Sequence, residues 1–175
     1  QDTEFGKKYG FDQIRTIEDY QRRVPVSTYS DYEDAIMRMS EDGEENVICA
    51  YPIHHYNKSS GTVGTPKRIP VSDRMMEVFY KYSMSYPYGV VEKEIEGDWY
   101  GGRQICVAES SSSVQSLKSG ATYGALSTKA VLQYRPYLNL LFTSPDEATF
   151  PEPDTNTRYL HARFGLMDKN ATYAG

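Results

Sequence analysis

The sequence has no apolar run approaching 18 residues, so nothing in it reads as a membrane-crossing helix. Its opening, QDTEFGKKYGF, lacks the apolar stretch of a secretory signal peptide. It also lacks a cationic excess: 19 Lys and Arg stand against 24 Asp and Glu, a formal net charge of −5. Nucleic acid and anionic membrane surfaces select for positive patches, so neither is expected as a partner. The Arg22-Arg23 pair is too small a cluster to reverse that. Cysteine is scarce. Cys49 and Cys106 are the only two, each inside an apolar run (VICAY and QICVA). Buried free thiols in a reducing, cytoplasmic setting are the expectation. No internal repeat is present. No metal site is expected either, because His54 and His55 stand beside no acidic partner at ligand spacing and His161 is remote.

What is present suits a globular chain. At 175 residues and 39% hydrophobic content it can bury a core as one domain. Tyrosine is abundant, 16 in all, concentrated between Tyr80 and Tyr88 and between Tyr134 and Tyr159. Such residues suit a core rim or an aromatic pocket with polar tips. Thr16 and Asp19 form a capping-box start for a helix over IEDYQRR, and Ser30 with Glu33 does the same for DYEDAIMRM, which should stop before Gly43. NVICAY (46–51) and RQICVA (103–108) read as strands. KRIPV reads as a brief edge segment because Pro70 cannot donate to a ladder. Ser72 caps a helix over DRMMEVFYKYSMSY that should end before Pro87, with Met75, Met76, Phe79, Tyr80 and Ser83 on one face. The Ser-rich ESSSSVQSLKSG (109–120) reads as a surface loop. STKAVLQYR, the SPDEAT start at Ser144 and NTRYLHARFGLM read as further helices. Strands alternating with helices predict an α/β class, a layered sheet with flanking helices.

The run KSSGTVGTPKRIP (58–70) carries the most chemistry. Gly61 and Gly64 have no β-carbon and let backbone N–H groups converge on an anion. Ser59, Ser60 and Thr62 add hydroxyl donors, and Lys67 adds a mobile charge suited to phosphate. The run is no Walker A loop. Its glycines are too close together, Arg68 stands where Ser or Thr is required, and an extended segment follows in place of a helix. The spacing of a dinucleotide fingerprint is absent too.

SSGTVGTPK resembles the first nucleotide-binding signature of the adenylate-forming enzymes. TEFGKKYGFDQIRTIEDYQRRVPVSTYSDYEDAIMRM, and LLFTSPDEATFPEPDTNTRYLHARFGLM near the end, resemble one branch, the auxin-responsive acyl-acid-amido synthetases. Phe142 stands where that pattern has Tyr. The resemblance implies a two-step ligase. ATP and a carboxylic acid give an acyl-adenylate, and an amine or amino acid then attacks to form an amide. It implies that Ser59, Ser60, Gly61, Thr62, Val63 and Gly64 wrap the β- and γ-phosphates, with Lys67 supporting the loop or contacting phosphate and Mg2+ sharing the charge. It also implies that Phe79, Tyr80 and Ser83 help to wall an acyl-acid pocket. No catalytic residue is assigned. The chain would be the N-terminal portion of the AMP-binding domain, because the later adenine and ribose motifs and the C-terminal lid domain have no counterpart in it. Such a fragment is expected to be inactive alone and to self-associate through exposed apolar surface. An acyl-CoA ligase fragment, or a non-catalytic module with a degenerate nucleotide loop, are the alternatives.

Overall fold

A computed structural model describes residues 1–59, 65–94, 101–105, 113–133, 143 and 155–174. Two compact units emerge. One comprises Gln1–Phe79 with Ser116–Tyr123, the other Tyr80–Gln115 with Gly124–Gly175.

The first unit is built from short helices with well-satisfied ends. Helix α1 (Glu4–Lys8) begins where Thr3 accepts the Gly6 N–H. Its Glu4 and Phe5 N–H groups donate to the carbonyls of Asn46 and Val47, at 2.8 and 2.9 Å. These contacts occupy donors that a helix start otherwise leaves orphaned. They also explain why 46–51 forms no strand, contrary to the sequence expectation. Asn46 is left-handed (φ 57°) and the following residues are spent on α1. Helix α2 (Ile17–Arg23) has the expected Thr16/Asp19 capping box. The next box lies elsewhere than predicted. Thr28 and Asp31 form it around a 3-10 turn at Tyr29–Asp31, and α3 (Glu33–Met37) follows. A π-helical turn, Arg38–Asp42, ends at Gly43, whose φ of 71° is glycine territory.

Strand β1 (Ile53–Lys58) pairs antiparallel with β2 (Arg68–Ser72), from Ile53 opposite Ser72 to Lys58 opposite Arg68. Strands β4 (Gln115–Ser116) and β5 (Thr122–Gly124) complete a sheet in the order β2-β1-β5-β4. Pro70 therefore sits on an edge strand, as its missing N–H requires. Part of the Ser-rich run, read from sequence as a loop, is instead the β4–β5 hairpin. The hydrophobic core of this unit is Ile36, Met39, Val47, Tyr56 and Ala121. Burial, reinforced by nearby Cys49, pushes the Tyr56 phenol up to about 12. Cys49 is a free thiol but only partly buried, and Cys106 lies outside the described residues.

Helix α4 (Asp73–Val78) is capped by Ser72, which accepts the Met75 N–H at 3.1 Å. A second π-helical turn, Phe79–Met84, leads into α5 (Ser85–Glu94). Pro87 thus lies inside helical structure, against the expected stop. Helical structure runs unbroken from Asp73 to Glu94, so Pro87 is an interior position whose missing N–H leaves one bond out of the ladder shortly after the π turn.

In the second unit, β3 (Arg103–Ile105) pairs parallel with β6 (Ala171–Ala174). Helix α6 spans Leu126–Gln133 and α7 Thr155–Met167, both where the sequence placed helices. Gly165 lets α7 close on β3: a β-carbon there would lie 2.9 Å from Ile105 Cγ2. The SPDEAT helix start lies outside the described residues, as do residues 106–108 of the predicted second strand.

Candidate functional site

The run 58–70 is the connection between β1 and β2. Its neck is closed by two hydrogen bonds across the pair. The Ser59 N–H donates to the Lys67 carbonyl (3.1 Å), and the Lys67 N–H donates to Ser59 Oγ (2.8 Å). Ser59 Oγ is thus fixed as an acceptor and keeps its own O–H proton to donate. Ser60, Gly61, Thr62, Val63 and Gly64 lie outside the described residues.

Lys67 is exposed, and its Nζ sits 5.1 Å from the centre of the Tyr29 ring. This cation–π contact holds the ammonium beside the neck without neutralising it. Tyr29 acts twice, since its hydroxyl also accepts the Arg68 N–H at 3.1 Å. The Arg68 guanidinium turns inward. Its Nη1 donates to Glu41 Oε1 (2.6 Å) and Ser40 Oγ (2.8 Å), with Met37 Sδ at 3.5 Å. It also lies 5.5 Å from the centre of the Tyr123 ring. The Tyr123 hydroxyl in turn donates to the Pro66 carbonyl, at a long 3.5 Å. Pro66, Lys67 and Arg68 are therefore all tied to neighbouring elements, Lys67 and Arg68 sharing Tyr29 and Pro66 and Arg68 sharing Tyr123.

Sequence reasoning named Ser59 and Lys67, which the structure brings together at this neck. It missed Tyr29, Ser40, Glu41 and Tyr123, and noted Arg68 only as a mismatch to Walker A. No local signal could have found them, because these partners lie 27 to 57 positions from the residues they hold. His54 and His55 belong to β1. His54 is exposed, as expected, but His55 is fully buried, with Nδ1 2.8 Å from Thr122 Oγ1. Thr122 also donates to the His54 carbonyl, which makes Nδ1 the protonated nitrogen of His55. Among the described residues no group of three His, Cys, Asp or Glu side chains could hold a metal ion.

Phe79 and Tyr80 are half-buried at adjacent positions of the second π turn. The Ser83 side chain is outside the described set. Met76 is buried while Met75 and Val78 are exposed, so the apolar face predicted for this helix is only partly covered. No helix among the described residues is long and apolar enough to cross a membrane.

The chain is similar to several known proteins. Jasmonoyl--L-amino acid synthetase JAR6 of Nicotiana attenuata is 26% identical over 172 residues, covering 94% of this chain and 29% of its own. Indole-3-acetic acid-amido synthetase GH3.6 of Arabidopsis thaliana is 25% identical over 180 residues, covering 94% and 28%. The solved structure of GH3.15 acyl acid amido synthetase superposes with a TM-score of 0.72 at 26% identity, over 95% of this chain and 28% of that one. The chain thus spans under a third of the length of the relatives it matches. Residues 1–174 match the GH3 family N-terminal domain, and the chain belongs to the GH3 family.

Proposed function

We propose that this chain is the N-terminal portion of an AMP-binding domain whose complete enzyme activates a carboxylic acid with ATP and transfers the acyl group to an amine or amino acid. The observation that carries the reading is the pinned neck of the 58–70 run, with a cation held beside it, in a chain of the GH3 family. The names of the relatives, amido and amino acid synthetases, favour amide over thioester formation.

The chemistry asks for fixed positive charge. A carboxylate attacking the α-phosphate meets like-charge repulsion, and the departing pyrophosphate carries several negative charges. ATP brings the phosphates. Ser59, Ser60, Gly61, Thr62, Val63 and Gly64 would supply N–H and O–H donors to the β- and γ-phosphates. The residues described at the neck fit that task. Ser59 has a hydroxyl proton to give, and Lys67 can swing from the Tyr29 face with little desolvation because it is exposed. Mg2+ would be held chiefly by the phosphate oxygens, as it usually is beside a nucleotide, and would share their charge. Phe79, Tyr80 and Ser83 are the proposed acyl-acid contacts, and a cytoplasmic setting suits the free Cys49.

Titration calorimetry with ATP tests the phosphate role. Wild type should bind, and Lys67→Ala should weaken binding by roughly tenfold, as loss of a charge-assisted contact does. No binding, with no effect of Lys67→Ala, would favour a non-catalytic module. The exposed Tyr159, Leu160, Phe164, Leu166 and Met167 of α7 support self-association of the isolated chain. A monomeric mass by light scattering at high concentration would sink that part.

A further inference from the structure

We infer that Arg68 is a positioning residue: through Glu41 and Ser40 it sets the downstream arm of the 58–70 run, and with it the place of Lys67. The inference rests on the phosphate reading of that run and adds what holds it. Three observations converge. First, Arg68 is the residue immediately after Lys67, at the first position of β2 and opposite Lys58. Its backbone and side chain are both engaged, the N–H by Tyr29 and the guanidinium by Glu41 and Ser40. Second, the receiving groups are preorganised. Ser40 is fully buried, and the Arg68 and Glu41 side chains are only 21% and 23% exposed. An ion pair so withdrawn from water holds its geometry better than a surface pair. Third, Ser40 and Glu41 both lie in the π turn Arg38–Asp42. Such turns are rare and are frequently found at functional sites.

The guanidinium is engaged in this socket by Ser40 and Glu41, so the role assigned to Arg68 is to position its neighbour and not to bind phosphate itself. Arg68 acts on Lys67 and Ser59, whose mutual hydrogen bonds close the neck one residue away. Glu41 has a second cation near it, Lys118, 3.9 Å away but 83% exposed. Lys118 is not restricted enough to replace Arg68.

The test uses this chain with Arg68→Met, Arg68→Lys and Glu41→Gln, read by two measurements. Amide exchange is followed at Ser59 and Lys67, with the Ile36 amide in α3 as the reference for global opening. ATP and inorganic tripolyphosphate are titrated. Arg68→Met should speed exchange at Ser59 and Lys67 relative to Ile36, and weaken both ligands by about tenfold or more, the usual cost of a misplaced binding group. Arg68→Lys should restore part of each effect, and Glu41→Gln, which keeps an acceptor, should give the smaller loss. In a Lys67→Ala background Arg68→Met should cost much less than it does in the wild-type chain, because the group that Arg68 places is already gone. An undiminished further loss in that background would mean that Arg68 meets phosphate directly and would overturn the inference. So would unchanged relative exchange, as expected of a merely structural residue. If wild type binds neither ligand, the phosphate reading of the run fails, and the exchange data alone decide whether Arg68 holds the neck.

Discussion

The two units solve the problem of a short chain in different ways. The first gathers Ile36, Met39, Val47, Tyr56 and Ala121 into one buried cluster and fastens its helix ends with side-chain caps. The second, among its described residues, buries Ile105 and closes α7 on β3 at Gly165, while Tyr82, Tyr86, Val90, Leu160, Phe164 and Leu166 stay exposed. The difference teaches where tolerance to change should lie. A unit with an interior nucleus is sensitive at a few positions. Among the described residues of the second unit, sensitivity is expected chiefly at its close approaches.

Four substitutions or titrations put that contrast at risk. The largest effect belongs to Tyr56→Ala, which empties the centre of the first cluster. It should cost about 3–5 kcal/mol, seen as a lower urea midpoint with an unchanged slope. Next comes alkaline titration. The Tyr56 phenol is raised in the folded chain, so its contribution is complete below the unfolded value near 10 and is lost as pH rises through about 12. A decline of about 2–3 kcal/mol over that window is expected from a two-unit shift. Tyr56→Phe should remove that slope; a wild-type curve flat from pH 10 to 12 would contradict it. Third, Gly165→Ala should cost about 1–3 kcal/mol, because Ile105 Cγ2 belongs to a stiff, β-branched side chain that cannot withdraw. The smallest effect is Phe164→Ala, within about 0.5 kcal/mol, as for an exposed position. If Phe164→Ala proved as costly as Tyr56→Ala, the contrast between the units would be gone.

Much of the fold could be read from the sequence because helix starts are local events. Thr16 and Ser72 have their partners within three residues, and both caps are found where expected. Misreadings occurred where distant contacts decide. VICAY is apolar and β-branched, yet its segment is spent capping α1 across some 40 positions. The actual strand, IHHYNK, hides because a register shift between Ile53 and His55 breaks the alternation, leaving His55 and Tyr56 both buried. Pro87 misled for a related reason. A π turn ahead of it resets the helix, and nothing in FYKYSM announces that turn. At the candidate site, composition singled out residues 58–70 as a candidate anion-binding run. The socket of Ser40 and Glu41 under Arg68 has no sequence signature, since it exists only once α3 and β2 are brought together.

The crossed hydrogen bonds between Ser59 and Lys67 also bear on how this site can vary in length. They bring the two ends of the intervening run together before any ligand arrives, so that closure is part of folding. For a flexible segment, doubling the number of residues between fixed ends costs only about 0.6 kcal/mol. Residues could therefore be inserted between Ser60 and Pro66 with little effect on the sheet. If the run holds phosphates as proposed, the same insertion would change which donors meet them, so the reach of such a grip could be altered without disturbing the scaffold that carries it.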